Sequence, residues 1–259
     1  MTERNHTRRT RDGRVQLRRA IVWGLVAVPL FAFALLGTNT MNGLMFIVMS
    51  GLALAFFSLP ANRIAGYRAE ESVVSQLAKM LPDDYVLFNQ VEVPNQRSRT
   101  GTTEIDVLVI GPTGVHILEV KDNAGEIMCR NDRSASWRVK KVGRRGGVYY
   151  DTMRNPARQA MSQALTLKDF LRGHDIDVWI SPAIVATNRR SRWRNADTLD
   201  VPVIDGTRKN LARTITMANA KQDWDRSKVA KVEQILLDLI DDVTPADELA
   251  PANKKPPVA

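Results

Sequence analysis

The sequence predicts an α/β domain, a mixed sheet flanked by helices and preceded by two transmembrane helices. Three observations lead there. Two uncharged apolar runs lie near the N-terminus. Strand-like and helix-like segments alternate after residue 66. A central hairpin, Glu104 to Lys121, is apolar along most of both strands.

The apolar runs are Ala20 to Leu36 and Met41 to Leu59, joined by Gly37-Thr38-Asn39-Thr40. Each approaches the roughly 20 residues that span a bilayer, and so short a connection suits only a tight helical hairpin. A cleaved signal peptide is the alternative for the first run, but a second run follows at once without a clear small-residue cleavage site. Residues 1–19 form a basic arm with seven arginines against Glu3 and Asp12, while the chain as a whole carries +9. Arg63 and Arg68 follow the second run, and the loop between the runs has no charge. The positive-inside rule then predicts a multi-pass protein of a bacterial-type inner (cell) membrane. Both termini and the soluble domain would be cytoplasmic, with the lipid bilayer as a partner. The arm is better explained as a topology signal and lipid anchor than as a DNA-binding segment. Cys129 is the only cysteine, which excludes an intrachain disulfide. His6, His116 and His174 lie far apart, and no Cys/His spacing suggests zinc.

After the runs, Tyr67 to Leu81 reads as a helix ended by Pro82, with Val73, Val74, Leu77 and Leu81 as its apolar stripe. Glu70 falls on that stripe, three and four residues before Val73 and Val74. It is either a first-turn glutamate favoured by the helix dipole or a carboxylate with a task. Tyr85 to Val93 reads as a strand and Asn95 to Gly101 as a loop. Glu104 to Ile110 and Val115 to Lys121 are strands joined by Gly111-Pro112-Thr113-Gly114. Simple antiparallel register pairs Ile110 with Val115, Asp106 with Glu119, and Glu104 with Lys121, so these side chains share a face. A salt bridge explains Glu104 with Lys121. Two opposed acids, Asp106 and Glu119, are destabilising unless a cation lies between them.

Residues 125–150 are polar and basic around Trp137, which suits either a hairpin over nucleic acid with Trp137 stacking, or a solvated hairpin whose Trp packs on the core. Asn155-Pro156 starts a helix as N-cap and first position. That helix runs to Leu171 or Arg172 with Gly173 as cap, and it carries Gln159 and Gln163 one turn apart. Asp177 to Thr187 and Val201 to Asp205 read as strands; Asn210 to Met217 and Lys228 to Ile240 read as helices. Residues 241–259 read as a disordered tail.

Glu70, Ile105-Asp106, Glu119-Val120-Lys121 and Asn155-Pro156-x-x-Gln159 together resemble the nuclease-related domain family, NERD, of the PD-(D/E)xK nuclease superfamily. The resemblance covers residues 66–172, with 173–240 as a C-terminal α/β extension of the same domain. It implies a restriction-endonuclease-like mixed sheet. Gly66-x-x-Ala69-Glu70 is similar to the family's helix motif, usually with Gly where Ala69 stands. Asp106 resembles its metal-binding aspartate, Glu119 and Lys121 its (D/E)xK pair, and Gln159 its helix glutamine. Val107 stands where His often follows the aspartate, and Asp122 where Asn is common; neither removes a proposed ligand.

The resemblance implies a hydrolase acting on nucleic acid, DNA or RNA, with Mg²⁺ or Mn²⁺. Asp106 and Glu119 would be metal ligands, with Glu70 a third ligand or holding a metal-bound water. Lys121 would orient the attacking water and Gln159 would position substrate. Two other classes remain open: a catalytically silent nucleic-acid-binding module, and a membrane-bound scaffold recruiting a protein partner.

Overall fold

The computed structural model describes residues 5–6, 61–132, 134–206, 211–218 and 224–243. A two-residue strand, β1 (Asn5–His6), comes first. Helix α1 (Ala61–Met80) leads into the meander β2 (Val86–Pro94), β3 (Thr102–Gly111) and β4 (Gly114–Lys121). Then come β5 (Gly125–Met128), β6 (Ser136–Val142), β7 (Val148–Arg154) and helix α2 (Pro156–Arg172). The chain continues with β8 (Ile180–Ala186), β9 (Ser191–Arg194), a 3-10 turn (Ala196–Thr198), β10 (Val203–Asp205), α3 (Leu211–Thr216) and α4 (Arg226–Val243).

The architecture is α/β: a six-stranded mixed sheet in the order β1-β2-β3-β4-β8-β10, flanked by helices. Both faces of this sheet are buried, as its near-continuous Val, Ile and Leu runs require. On one face Phe88, Leu108, Ile110 and Ile117 pack with Leu167 and Leu171 of α2 and Val232 and Leu236 of α4. On the other, Val107, Val109, Leu118 and Val120 pack with Val73, Val74 and Leu77 of α1. A second sheet, β7-β6-β5-β9, lies beside the first. Its inner face joins Ile127, Trp137, Val139 and Met153 to Ala160 of α2 and Ile184 of β8. The α2 start follows its sequence. Asn155 accepts the Arg158 N–H at 3.1 Å and Pro156 takes the first turn.

The expected transmembrane hairpin is corrected here. Among the described residues no helix is long and apolar enough to cross a membrane. Helix α1, which follows the second apolar run, carries Arg68, Glu70, Glu71 and Lys79 and packs one face on the sheet. The runs at 20–36 and 41–59 lie outside the described residues. An apolar stretch of spanning length is necessary for a membrane helix but does not establish one. The two membrane helices, the bilayer as partner and the multi-pass inner-membrane localisation with cytoplasmic termini are therefore withdrawn. So is the reading of the whole basic arm as a lipid anchor, since Asn5 and His6 pair in parallel with Leu87 and Phe88 on the sheet edge. At the other end α4 runs to Val243, so the expected tail begins inside a helix; residues 244–259 lie outside the described residues.

The turn between β3 and β4 is held by a stack that needs glycine. A Cβ on Gly111 would lie 2.2 Å from Tyr85 Cδ1. The Tyr85 ring is buried and fixed at its far end, where its hydroxyl meets Thr113 Oγ1 at 3.1 Å. Thr113 Oγ1 in turn meets the buried His116 Nε2 at 2.9 Å. Gly111→Ala should therefore destabilise the domain by about 1–3 kcal/mol through overpacking. The readout is a lower urea midpoint at unchanged slope; an unaltered midpoint would show that the ring yields freely.

Candidate active site

The central hairpin keeps the register read from its turn, with Ile110 opposite Val115 and Val107 opposite Leu118. Beyond Val107 the two strands stop pairing with each other. Strand β3 continues on β2 alone, and Glu119 to Lys121 of β4 continue on β8, where Glu119 lies beside Ile184. The sheet forks at this point. In place of a backbone carbonyl, Asp106 Oδ2 accepts the Val120 N–H at 3.0 Å.

A second irregularity lies across the strand. Pairing of β2 with β3 steps from Asn89–Val107 to Val91–Ile105, and Gln90 between them has φ 53°. That left-handed conformation is costly for a residue with a Cβ. It shifts the alternation of β2 by one, so Val91 and Val93 join Val86 and Phe88 in the same core. It also aims the Gln90 amide at Glu70 Oε2, 3.5 Å away.

Glu119 is fully buried, and both its oxygens are engaged. Oε1 is bonded to Lys121 Nζ, and Oε2 accepts Gln163 Nε2 at 2.8 Å. The same Gln163 amide donates to the Glu104 carbonyl at 3.0 Å. Gln163 thus bridges the open fork from helix α2, joining β3 to β4 where they no longer join each other. Its Oε1 is buried with no hydrogen-bond partner.

The expected site residues are distributed as follows. Asp106, Glu119 and Lys121 lie together at the fork, and Glu70 is close enough to act on Asp106 electrostatically. Gln159 lies on the wall of the cleft that Asp106 also lines. The side chain that reaches Glu119 is Gln163, one helical turn later. The signal for it was present, since i and i+4 share a helix face, but spacing alone does not say which of the two penetrates.

The charge balance is uneven. Burial, the Glu119 charge and the Glu70 charge hold the Asp106 carboxyl well above its usual range, against the opposing pull of Lys121 and the Val120 N–H. Burial raises Glu70 from 4.5 to about 7, with the Glu104 and Glu119 charges adding and the Gln90 hydrogen bond opposing. The expected three-carboxylate metal centre is nevertheless not assembled. Among the described residues no group of three or more His, Cys, Asp or Glu side chains is placed to hold a metal. The reason is local: Lys121 and Gln163 occupy Glu119, Val120 occupies one oxygen of Asp106, and Gln90 draws Glu70 toward β2.

The fork opens into a cleft of about 1120 Å³. Its walls carry Arg97, Arg99, Arg154 and Arg158 around Glu104 and Asp106, with Gln159 and Gln163 on the α2 side. Trp137 does not reach it. That ring is fully buried, edge-on to Trp193 at 6.3 Å, so the packing reading of Trp137 holds and the stacking reading is dropped.

Comparison with known families agrees with this architecture. Residues 65–187 match the nuclease-related domain, NERD. The chain carries a NERD-domain-like fold over that stretch, which runs from α1 through β8 and includes the fork. Searches of curated proteins and of solved structures give no significant match.

The pH dependence follows from Glu70. Its folded-state pKa lies above its unfolded value, so between pH 4.5 and about 7 the native state binds the extra proton and stability falls as pH rises. His116 acts the other way. Burial lowers it from 6.5 to about 4, so its contribution is lost as pH falls through that window. Comparing Glu70→Gln with wild type at each pH cancels the His116 effect. In EDTA, Glu70→Gln should be the more stable protein at pH 8, on the order of 2 kcal/mol after allowance for screening, with the gap closing toward pH 4.5. Denaturant melts across this range check it; a gap independent of pH would assign the effect to packing.

Proposed function

We propose that the cleft is the active site of a nuclease-related hydrolase that cleaves phosphodiester bonds in nucleic acid. The carrying observation is the arrangement of the cleft, in which arginines on both walls surround a buried, negatively charged fork. Arginine binds phosphate through bidentate, always-charged contacts. Asp106 and Glu104 line this cleft, with Glu119 buried behind them; carboxylates there would repel a polyanion, so they need a function other than binding it.

The donor set suits a hard divalent cation such as Mg²⁺ or Mn²⁺. It offers carboxylate oxygens with more negative charge than Lys121 offsets, as the raised Asp106 and Glu70 values indicate. Asp106 and Glu119 would hold the ion, with Glu70 as a third oxygen donor or the holder of its water. Bound there, the ion would lower the pKa of an attacking water and neutralise charge on the phosphate.

The chain's own groups divide the remaining work. Arg154 and Arg158 bind the flanking phosphates and fix the strand across the fork. Lys121 leaves Glu119 to orient the water and offset charge developing on the phosphate. Gln163 keeps Glu119 in place when Lys121 moves, because its amide holds the other carboxylate oxygen. Gln159 positions substrate from the cleft wall.

Incubating the full chain with labelled DNA and RNA, with Mg²⁺ or Mn²⁺ and with EDTA, tests this reading. Cleavage should need the ion and be abolished by Asp106→Asn. Lys121→Ala should lower the rate by roughly a hundredfold or more while keeping ion binding. At 100 times its dissociation constant the ion should stabilise wild type by about 2.7 kcal/mol, and Asp106→Asn should lose most of that gain. Absence of both cleavage and stabilisation would leave Lys121 and Glu119 as a structural ion pair.

A further inference from the structure

The second sheet has an outer face that no other element covers among the described residues. Its register separates the two faces as far as Val139; beyond it Tyr149 and Asp151, of the inward parity, are exposed past the end of the core. Trp137 opposite Met153, and Val139 beside Ile127, point into the core. Their neighbours point out: Arg138 opposite Thr152, and Lys140 opposite Tyr150. On the far side of the sheet, Arg192 and Arg194 of β9 lie beside Glu126 and Met128 of β5 on that same face.

We infer that this outer face binds single-stranded nucleic acid and delivers it to the cleft. Charge is the first argument. Arg138, Lys140, Arg192, Arg194 and Arg154 share the face, and Glu126, paired with Arg194 at 3.0 Å, is the one acid that register places on it; Asp151 of β7 has the other parity and is ion-paired with Lys141. Such a basic row suits a phosphate backbone. Ring chemistry is the second. Tyr150 is 57% exposed on the edge strand β7, opposite Lys140 of this row, with the Arg138 guanidinium 4.3 Å from its centroid. The guanidinium stacks on the ring, and more than half of the residue stays exposed, as a base would need. Aromatic rings interleaved with basic side chains on an open sheet are how proteins hold unpaired bases. A duplex keeps its bases stacked on one another and offers this ring nothing. Continuity is the third argument. Arg154, last residue of β7, also lines the cleft, and α2 begins two residues later. A strand lying along β7 therefore runs into the fork.

Delivery to the cleft rests on the hydrolase reading; binding to the sheet does not. The test uses the full chain in EDTA, with fluorescence anisotropy of labelled single-stranded DNA, single-stranded RNA and duplex DNA. Wild type should prefer a single strand, and the two single-stranded probes decide between DNA and RNA. Tyr150→Ala should weaken that binding roughly tenfold, while Tyr150→Phe, which keeps the ring, should not. Arg138→Gln should reduce the salt dependence by about one phosphate contact. Equal binding of duplex and single strand, or indifference to Tyr150→Ala, would overturn the inference and leave a charged surface only. A chain that cleaves nothing in Mg²⁺ yet binds through Tyr150 in EDTA would sink the hydrolase reading and support this one.

Discussion

The parting of β3 from β4 after Val107 and Leu118 is the constraint on which the rest of the site depends. In an unbroken antiparallel pair Asp106 would lie directly opposite Glu119, and no group could enter between them. Once the strands part, the backbone of each loses a partner, and buried backbone groups do not stay unpaired. Side chains take over. Asp106 satisfies Val120, and Gln163 reaches the Glu104 carbonyl from the helix above. The polar contacts of the fork are thus consequences of ordinary hydrogen-bond accounting at a place where a sheet divides. The cleft is the space that the division leaves.

That arrangement satisfies hydrogen bonds better than it satisfies charge. Glu119 is at rest, with a cation on one oxygen and an amide on the other. Asp106 and Glu70 share only what remains of Lys121, and both are held toward the protonated form. Gln90 adds conformational strain at the same spot, accepting a left-handed backbone to put its amide near Glu70. Strain and unbalanced charge together are not what a purely structural ion pair requires. Apolar residues at Glu70 and Asp106 would relieve the charge but would leave the Val120 N–H without its partner.

Much of the fork was legible from residue types alone. The Gly-Pro-Thr-Gly turn sets the register, and the register brings Asp106, Glu119 and Lys121 to one place. The N-cap pair Asn155-Pro156 fixes where α2 begins, and so the height at which its glutamines meet the sheet. Alternation gives no warning of the fork itself, because Glu104 to Ile110 and Val115 to Lys121 look equally strand-like on both sides of it. The choice of Gln163 over Gln159 depends on how deeply α2 settles, which is a packing outcome. The apolar runs at 20–36 and 41–59 carry a strong local signal, but they lie outside the described residues, among which no helix is long and apolar enough to cross a membrane.

The second sheet shows why a basic, polar stretch is easily misjudged. Ser136-Trp137-Arg138-Val139-Lys140 alternates strictly, yet the run of charges around it suggests a loop. Alternation decides the matter, because it sends Trp137 and Val139 inward and Arg138 and Lys140 outward. A tryptophan in a basic segment invites a stacking role, but its parity places it in the core, where burying so large a ring contributes about 1.5–3 kcal/mol. Parity also puts Tyr150, which pairs with Lys140, on the outer face, while Tyr149, of the opposite parity, is exposed only because it lies past the end of the core. The aromatic residue that shares the basic face is therefore set by register against the core. Because β7 passes through Asn155 directly into α2, the same register also fixes where the outer face meets the cleft.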